Sequence, residues 1–163
     1  MARQTLTQPH VRVTLRKIVK ADLPKVLRIE NEAFPLDAWD LESYEEFLDS
    51  RNNGGTVACV DGKIVAYTIH EVHWNRVHLP GIAVDLPYRG RGIARLLVQD
   101  LISALPSLSR TRLTLEVRPT NEGALNLYKS FGFKRVRIKH GYYHDGSDAV
   151  FMAYQAPDSP SEE

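Results

Sequence analysis

The sequence has little cysteine, no excess of either charge and no long apolar run. Cys59 is the only cysteine among 163 residues, which excludes an intrachain disulfide and a thiolate zinc site and suits a reducing compartment. The 21 Lys and Arg residues nearly balance the 20 Asp and Glu residues, whereas electrostatic nucleic-acid binders usually carry a basic excess. Charges interrupt every apolar run before about 18 residues, and no secretory pattern opens the chain. We therefore expect a soluble cytoplasmic protein that binds neither nucleic acid nor membrane.

The length and the hydrophobic content are sufficient for one domain. A chain of 163 residues with 43% hydrophobic residues falls within the roughly 100 to 200 residues typical of a single folded unit. The sequence contains no tandem repeat and no interdomain linker. We predict one domain over residues 11–155, a mobile polar segment over residues 1–10 and a disordered acidic tail over residues 156–163.

Apolar periodicity predicts alternating strands and helices. Alternation of apolar and polar residues predicts seven strands, at 11–19, 56–60, 64–72, 78–84, 112–117, 134–139 and 149–154. Helical spacing predicts four helices, at 22–34, 41–48, from Ile93 to beyond Leu101, and 121–131. Asp61-Gly62 is a hairpin signal, so the strands on either side of it are expected to be antiparallel. The pattern indicates an α/β fold with a mixed sheet.

A basic, glycine-containing segment, Arg89-Gly90-Arg91-Gly92-Ile93-Ala94-Arg95, lies between a predicted strand and a predicted helix. Free backbone N–H groups and the positive end of the helix dipole bind anions at such a position, and glycine lets a phosphate approach the backbone. The dinucleotide fingerprint fails because Arg95 replaces its third glycine, and no G-x-x-x-x-G-K-[ST] motif occurs. NAD and ATP are therefore disfavoured; an ordinary basic turn remains the alternative for this loop taken alone.

Two blocks of sequence are similar to the GNAT superfamily of acetyl-CoA-dependent N-acetyltransferases. The segment from Arg89 to Ala94 matches its R/Q-x-x-G-x-G/A signature, and the segment from Asn121 to Phe133 resembles its N-x-x-A-x-x-L-Y-x-x-x-G-F pattern. The resemblance extends from Val11 to Tyr154. It implies a single GNAT-like domain with a mixed, mostly antiparallel central sheet of about seven strands flanked by about four helices. It also implies direct acetyl transfer to a primary amine.

A narrower resemblance concerns the residues 115–118, Leu-Glu-Val-Arg, and 142–152. Both segments are similar to those of ribosomal-protein-alanine and other protein N-terminal acetyltransferases. The loop from Phe34 to Trp39 is longer than the F-P-W of many bacterial members, which leaves the acceptor open.

The resemblance implies acetyl-CoA as the acetyl donor and no metal. The backbone of one strand would hold the pantetheine, the basic loop would hold the pyrophosphate, and a helix would contact the CoA arm. The corresponding residues are Ile82, Ala83, Val84, Arg89, Gly90, Arg91, Gly92, Ile93, Ala94, Arg95, Asn121 and Tyr128.

The resemblance also implies two catalytic residues. Glu116 corresponds to the general base, and Tyr128 corresponds to the acid that protonates the departing CoA thiolate. Each has a structural alternative: Glu116 shares a strand face with Arg112 and Arg118 and could pair with either, and Tyr128 has helical spacing with core residues. No histidine, His78 included, has a partner at metal-ligand spacing.

Acceptor recognition is expected from two loops, one following the first helix and one before the last strand. The residues predicted to contact the acceptor are Glu32, Phe34, Pro35, Trp39, Tyr142 and Tyr143. Glu32 is expected to attract the ammonium group. A solvated helix face is the alternative for both Glu30 and Glu32, and it is the favoured interpretation of Glu30.

The predicted function is acetylation of a protein N-terminus, such as that of a ribosomal protein. An α-amino group, with a pKa of about 7.7 to 8.0, loses its proton more easily than a lysine at about 10.4, so it demands less of a general base. Acetylation of a small amine or of an internal lysine is an alternative, and a non-catalytic acetyl-CoA sensor is another. The sequence does not indicate the oligomeric state.

Overall fold

Eight strands form one central sheet in the computed structural model, which describes residues 4–8 and 11–157. The strands are β1 (Gln4–Gln8), β2 (Val11–Lys17), β3 (Asn53–Val60), β4 (Lys63–Val72), β5 (Val77–Val84), β6 (Arg112–Val117), β7 (Lys134–Lys139) and β8 (Ala149–Gln155). The helices are α1 (Leu23–Ala33), α2 (Leu41–Asp49), α3 (Ile93–Ala104) and α4 (Glu122–Ser130). The spatial order of the strands is β1-β2-β3-β4-β5-β6-β8-β7.

The sheet is antiparallel at every pairing except the one between β5 and β6. A parallel pair needs a long crossover, and α3 lies in the connection between these two strands. The hairpin predicted at Asp61-Gly62 is confirmed, with φ values of 49° and 75° joining β3 to β4. The predicted mixed, mostly antiparallel sheet is thus present.

The strand β1 is an addition to the seven predicted strands. It pairs with β2 in antiparallel register, with Gln4 opposite Leu15 and Gln8 opposite Val11. It falls within segment 1–10, which the sequence analysis placed outside the domain. The polar sequence of this segment does not predict a strand. A strand at a sheet edge can pair through backbone hydrogen bonds alone, without apolar side chains. Residues 1–3, 9, 10 and 158–163, where mobility and an acidic tail were predicted, lie outside the described residues.

Helices cover both faces of the sheet. Tyr67 packs with α1 and α2 in one cluster, and the adjacent Ala66 packs with α3 in another. Successive side chains of a strand point to opposite faces, so α1 and α2 lie on one face and α3 lies on the other. A third cluster joins α3 and α4 to β6 and β8. Within the described residues, no helix has the length and apolar content needed to cross a membrane.

Candidate active site

A cleft of about 900 Å³ opens where β5 and β6 separate. The two strands pair only over Val77–Leu79 and Leu113–Leu115. Beyond Leu79, β5 keeps its hydrogen bonds to β4 on one edge, so the opposite edge presents free backbone groups to the cleft. The fold thus provides a polar backbone wall without using side chains.

Most of the predicted site residues line this cleft. They are Phe34, Trp39, Ile82, Ala83, Val84, Arg89, Gly90, Gly92, Ile93, Ala94, Arg95, Glu116, Asn121, Tyr128, Tyr142 and Tyr143. Glu32, Pro35 and Arg91 are exposed and are not among the lining residues. The structure therefore brings the two sequence motifs together from opposite sides of the β5–β6 gap.

One end of the cleft is the N-terminus of α3. Gly90 and Gly92 have φ values of 76° and 80°, and Gly92 is the N-cap residue. The first backbone hydrogen bond of α3 runs from the N–H of Leu96 to the carbonyl oxygen of Gly92, at 3.0 Å. The preceding N–H groups, of Ile93 to Arg95, have no partner within the helix and carry the positive end of its dipole.

The arginines of this loop have different surroundings. Arg89 Nε donates to the Val84 carbonyl at 2.9 Å, which ties the loop to the end of β5. Arg95 donates to Ser130 Oγ at 3.0 Å and lies over the Phe131 ring. Arg91 does not line the cleft; its guanidinium lies over the ring of Tyr88, which does. Two of the three predicted cations thus border the cleft.

Glu116 lies between a lysine and a histidine. Its carboxylate accepts from Lys139 Nζ at 2.5 Å and lies 2.8 Å from His78 Nε2, and its side chain is only 7% exposed. Burial alone would raise the pKa of Glu116, but hydrogen bonds from His78 and Lys139, together with attraction by these groups, hold that pKa below its usual value. Glu116 is thus ion-paired, but with Lys139 and His78 and not with the guanidinium groups expected as its partners; Arg118 binds Asp37 and Asp145 instead.

His78 is a site residue that the sequence analysis missed. Its Nδ1 lies 2.7 Å from Thr114 Oγ1, while its Nε2 faces Glu116. Thr114 stands opposite His78 in the parallel register, so the contact depends on a strand pairing between residues 36 positions apart. Residue spacing within a single strand therefore cannot predict this contact.

Tyr128 combines both interpretations that the sequence left open. Its ring packs 5.5 Å from Phe133 in the core, and the residue also lines the cleft. Burial raises the pKa of the Tyr128 phenol above its ordinary value, so the hydroxyl keeps its proton at neutral pH. Asn121 caps α4 by accepting from the Ala124 N–H at 3.2 Å and lines the same wall of the cleft.

Glu30 and Glu32 do not lie where the sequence analysis expected them. Glu30 is 4% exposed and lines the cleft, whereas Glu32 is exposed and lies outside it. Glu30 accepts from the Trp39 N–H at 2.7 Å, from Tyr67 at 2.9 Å and from Tyr44. Burial raises the pKa of Glu30, and these hydrogen bonds offset only part of that effect. The prediction failed because a helix pattern does not show that α2 and β4 bury this side of α1.

Two adjacent tyrosines line the cleft near Glu116. The rings of Tyr142 and Tyr143 meet edge to face with centroids 4.9 Å apart, and the guanidinium of Arg118 lies 3.9 Å from the Tyr143 ring centre. Burial and the negative charge of Glu116 raise the pKa of Tyr142 to about 12. Both phenols are therefore neutral hydrogen-bonding groups at physiological pH.

A sequence model of the Acetyltransferase (GNAT) family matches residues 23–133. The chain belongs to the GNAT acetyltransferase family. The matched range contains α1, the basic loop Arg89–Arg95, Glu116 and all of α4, whereas the cleft-lining residues Tyr142, Tyr143 and His144 lie beyond it.

The relatives of this GNAT acetyltransferase bear related names. It is 34% identical to the [Ribosomal protein bS18]-alanine N-acetyltransferase of Escherichia coli K12 over 145 residues, covering 86% of this chain and 95% of the relative. It is 31% identical to an N-alpha-acetyltransferase of Sulfolobus acidocaldarius over 152 residues, covering 85% and 90%. The crystal structure of the Escherichia coli ribosomal-protein-S18-alanine enzyme superposes with a TM-score of 0.81 at 30% identity, covering 93% and 98%. The chain is thus an N-acetyltransferase of this branch.

Proposed function

We propose that this N-acetyltransferase transfers an acetyl group from acetyl-CoA to the N-terminal α-amino group of a protein, such as a ribosomal protein. The observation that carries the proposal is the polarity of one continuous cleft. An anion-binding helix terminus and two arginines lie at one end, while the carboxylates of Glu30 and Glu116 and an aromatic rim lie at the other. A substrate pair with phosphates on one side and an amine on the other matches this arrangement.

The donor end suits a phosphorylated thioester carrier. The N–H groups at the start of α3, together with Arg89 and Arg95, match a pyrophosphate in charge and in hydrogen-bonding capacity. The free edge of β5 over Ile82–Val84 can hydrogen-bond an amide-containing arm in the manner of an added strand. Acetyl-CoA supplies an activated acetyl thioester, so the protein has to provide position and proton transfer.

Glu116 is suited to receive the proton of the attacking amine. It lies deep in the cleft, remains ionised because its pKa is lowered, and is held in one orientation by Lys139 and His78. It acts as a general base directly or through one water. The His78 ring, itself fixed by Thr114, donates from Nε2 to Glu116 and helps to hold the carboxylate in place. Tyr128, across the cleft with its proton retained, is the group suited to protonate the leaving thiolate.

The acceptor end favours an α-amine over a lysine on grounds of proton affinity. A carboxylate with a lowered pKa is a weak base, and an amine with a pKa of about 7.7 to 8.0 is already partly neutral at physiological pH. A lysine at about 10.4 would cost roughly 3 kcal/mol more to deprotonate. The printed names of the relatives, which specify an alanine terminus and an α-amine, support the same class of acceptor.

The test is acetylation of a matched set of acceptors. The purified enzyme would be incubated with acetyl-CoA and with peptides that have a free N-terminus, the same peptides with a blocked N-terminus and an internal lysine, and small amines. We expect mass spectrometry to place the acetyl group on the free N-terminus, and we expect Glu116→Gln to reduce kcat by about a hundredfold or more. Modification confined to lysines or small amines would refute the proposed acceptor, and tight acetyl-CoA binding without turnover of any amine would favour a sensor.

A further inference from the structure

Arg118 connects three segments at the acceptor end of the cleft. It directly follows β6, two residues after Glu116. Its Nη2 lies 2.6 Å from Asp37 in the α1–α2 loop, and its Nη1 lies 3.1 Å from Asp145 in the β7–β8 loop. A guanidinium is planar and has donors on separate edges, so it can hold two carboxylates at once, which an ammonium does less well. We call Asp37, Arg118 and Asp145 the acceptor clamp.

The two loops also contact each other directly. The backbone N–H of His144 donates to Asp37 Oδ1 at 3.2 Å, and His144 Nδ1 lies 3.2 Å from the Leu36 carbonyl. Asp37 therefore binds Arg118 with one carboxylate oxygen and the opposite loop with the other. Asp37, Arg118 and His144 all line the cleft, so this junction forms part of its wall.

Each loop is also held by a contact outside the clamp. The α1–α2 loop is tied to buried Glu30 through the Trp39 N–H. The β7–β8 loop closes on itself, since the Tyr143 N–H donates to the Ser147 carbonyl at 3.1 Å and Asp145 accepts from the Ser147 N–H at 3.0 Å. With both loops braced internally, the clamp sets the distance between them.

We propose that the acceptor clamp fixes the width of the acceptor entrance and thereby selects the first residue of the acceptor by its size. The inference rests on the proposed function. Phe34, Tyr142 and Tyr143 line the same cleft, so we expect a larger first side chain to require these walls to move apart. That movement breaks the Asp37–Arg118 pair, whose side chains are 21% and 29% exposed and are therefore only partly screened by water.

The test compares acceptors of different size. The kcat/KM is measured for short peptides that are identical except for Ala, Met or Phe at the first position, with wild type, Asp37→Asn, Asp145→Asn and Arg118→Lys. We expect the preference for Ala over Phe to fall about twofold to fivefold in each variant, the factor that corresponds to a partly exposed ion pair. The change should arise from a lower KM for the Phe peptide, with the KM for acetyl-CoA unchanged.

Asp49→Asn is the matched control, because it removes an exposed ion pair of equal length, 2.6 Å to Lys20, on α2. Its Ala-to-Phe preference should equal that of wild type.

Asp145→Asn removes the more exposed arm of the clamp and provides the comparison if Asp37→Asn folds poorly. If the folded variants change kcat/KM equally for all peptides, or leave the preference unchanged, the inference is wrong although the proposed function stands. If wild type acetylates no N-terminus, the proposed function fails and the inference fails with it.

Discussion

The hydrogen bond from His78 and the ion pair with Lys139 together hold the pKa of Glu116, the candidate base, below its usual value. Lys139 Nζ also lies over the Phe151 ring at 4.5 Å, so its ammonium is held by a π face as well as by the carboxylate. A carboxylate in so buried a position would otherwise favour its protonated form. The two contacts together therefore keep the base ionised at the pH of the cell.

Removing Lys139 should change the pH profile. In Lys139→Met, the pKa of Glu116 rises because a hydrogen bond and an attracting charge are lost while the burial remains. The limb of the kcat/KM profile that reports the ionisation of Glu116 therefore shifts to higher pH, whereas the limb that reports the α-amine stays near about 8. Steady-state kinetics with one peptide across the pH range would measure both limbs.

Arg137→Met is the control for that experiment. Arg137 lies on the same strand and over the same Phe151 ring, at 5.4 Å, and has no hydrogen bond to Glu116. A shift of the same size in both variants would indicate a general charge effect and contradict the specific role of Lys139.

At the level of elements, the N-terminus of α3 depends on its glycines. Gly92 is both the N-cap of α3 and part of the cleft wall, with φ in the left-handed region. A side chain there is strained whatever space is available, at a cost of about 1 to 3 kcal/mol. The same backbone conformation aims the free N–H groups of the helix into the cleft.

Gly92→Ala should therefore reduce two quantities together. We expect a loss of roughly 1 kcal/mol or more in the free energy of unfolding and a weaker affinity for acetyl-CoA, since the anion site is built from this turn. Gly62→Ala has comparable strain, with φ of 75° in the β3–β4 turn, and lies outside the cleft lining. Urea unfolding and calorimetric titration should show that Gly62→Ala loses stability but keeps its acetyl-CoA affinity; equal affinities in both variants would contradict the anion site.

For the molecule as a whole, the net charge of +1 conceals a separation of charge along one cleft. Arg89 and Arg95 border the donor end, while Glu30 and Glu116 border the acceptor end. The near balance counted from the sequence is thus compatible with two strongly different local environments.

Acetyl-CoA should stabilise the folded chain. A ligand that binds only the native state at a hundredfold excess over its Kd adds about 2.7 kcal/mol, which corresponds to a rise in Tm of roughly 5 to 10 °C for a chain of this length. Thermal melts with and without acetyl-CoA measure this rise in Tm. The variant Glu116→Gln, which leaves the residues proposed to bind the phosphates unchanged, should show a similar rise. No rise at saturating acetyl-CoA would contradict the donor assignment.

Local patterns were sufficient for the order of the helices and of the seven predicted strands, and for the glycine turn before α3. The strands alternate, the helices have apolar stripes, and Gly90 and Gly92 stand where positive φ is needed. These are properties of neighbouring residues, so the sequence displays them directly. The polar β1 was the exception, because pairing along a sheet edge uses the backbone alone.

The sequence by itself indicated the α/β class through short-range periodicity, and its resemblance to the GNAT superfamily indicated many of the residues that line the cleft. Only the tertiary structure decided which glutamate is buried and what Glu116 contacts. Glu30 and not Glu32 faces the core because α2 and β4 pack against that side of α1. His78 reaches Glu116 because two strands distant in sequence lie parallel and in register. Both outcomes depend on long-range packing, which no local pattern records.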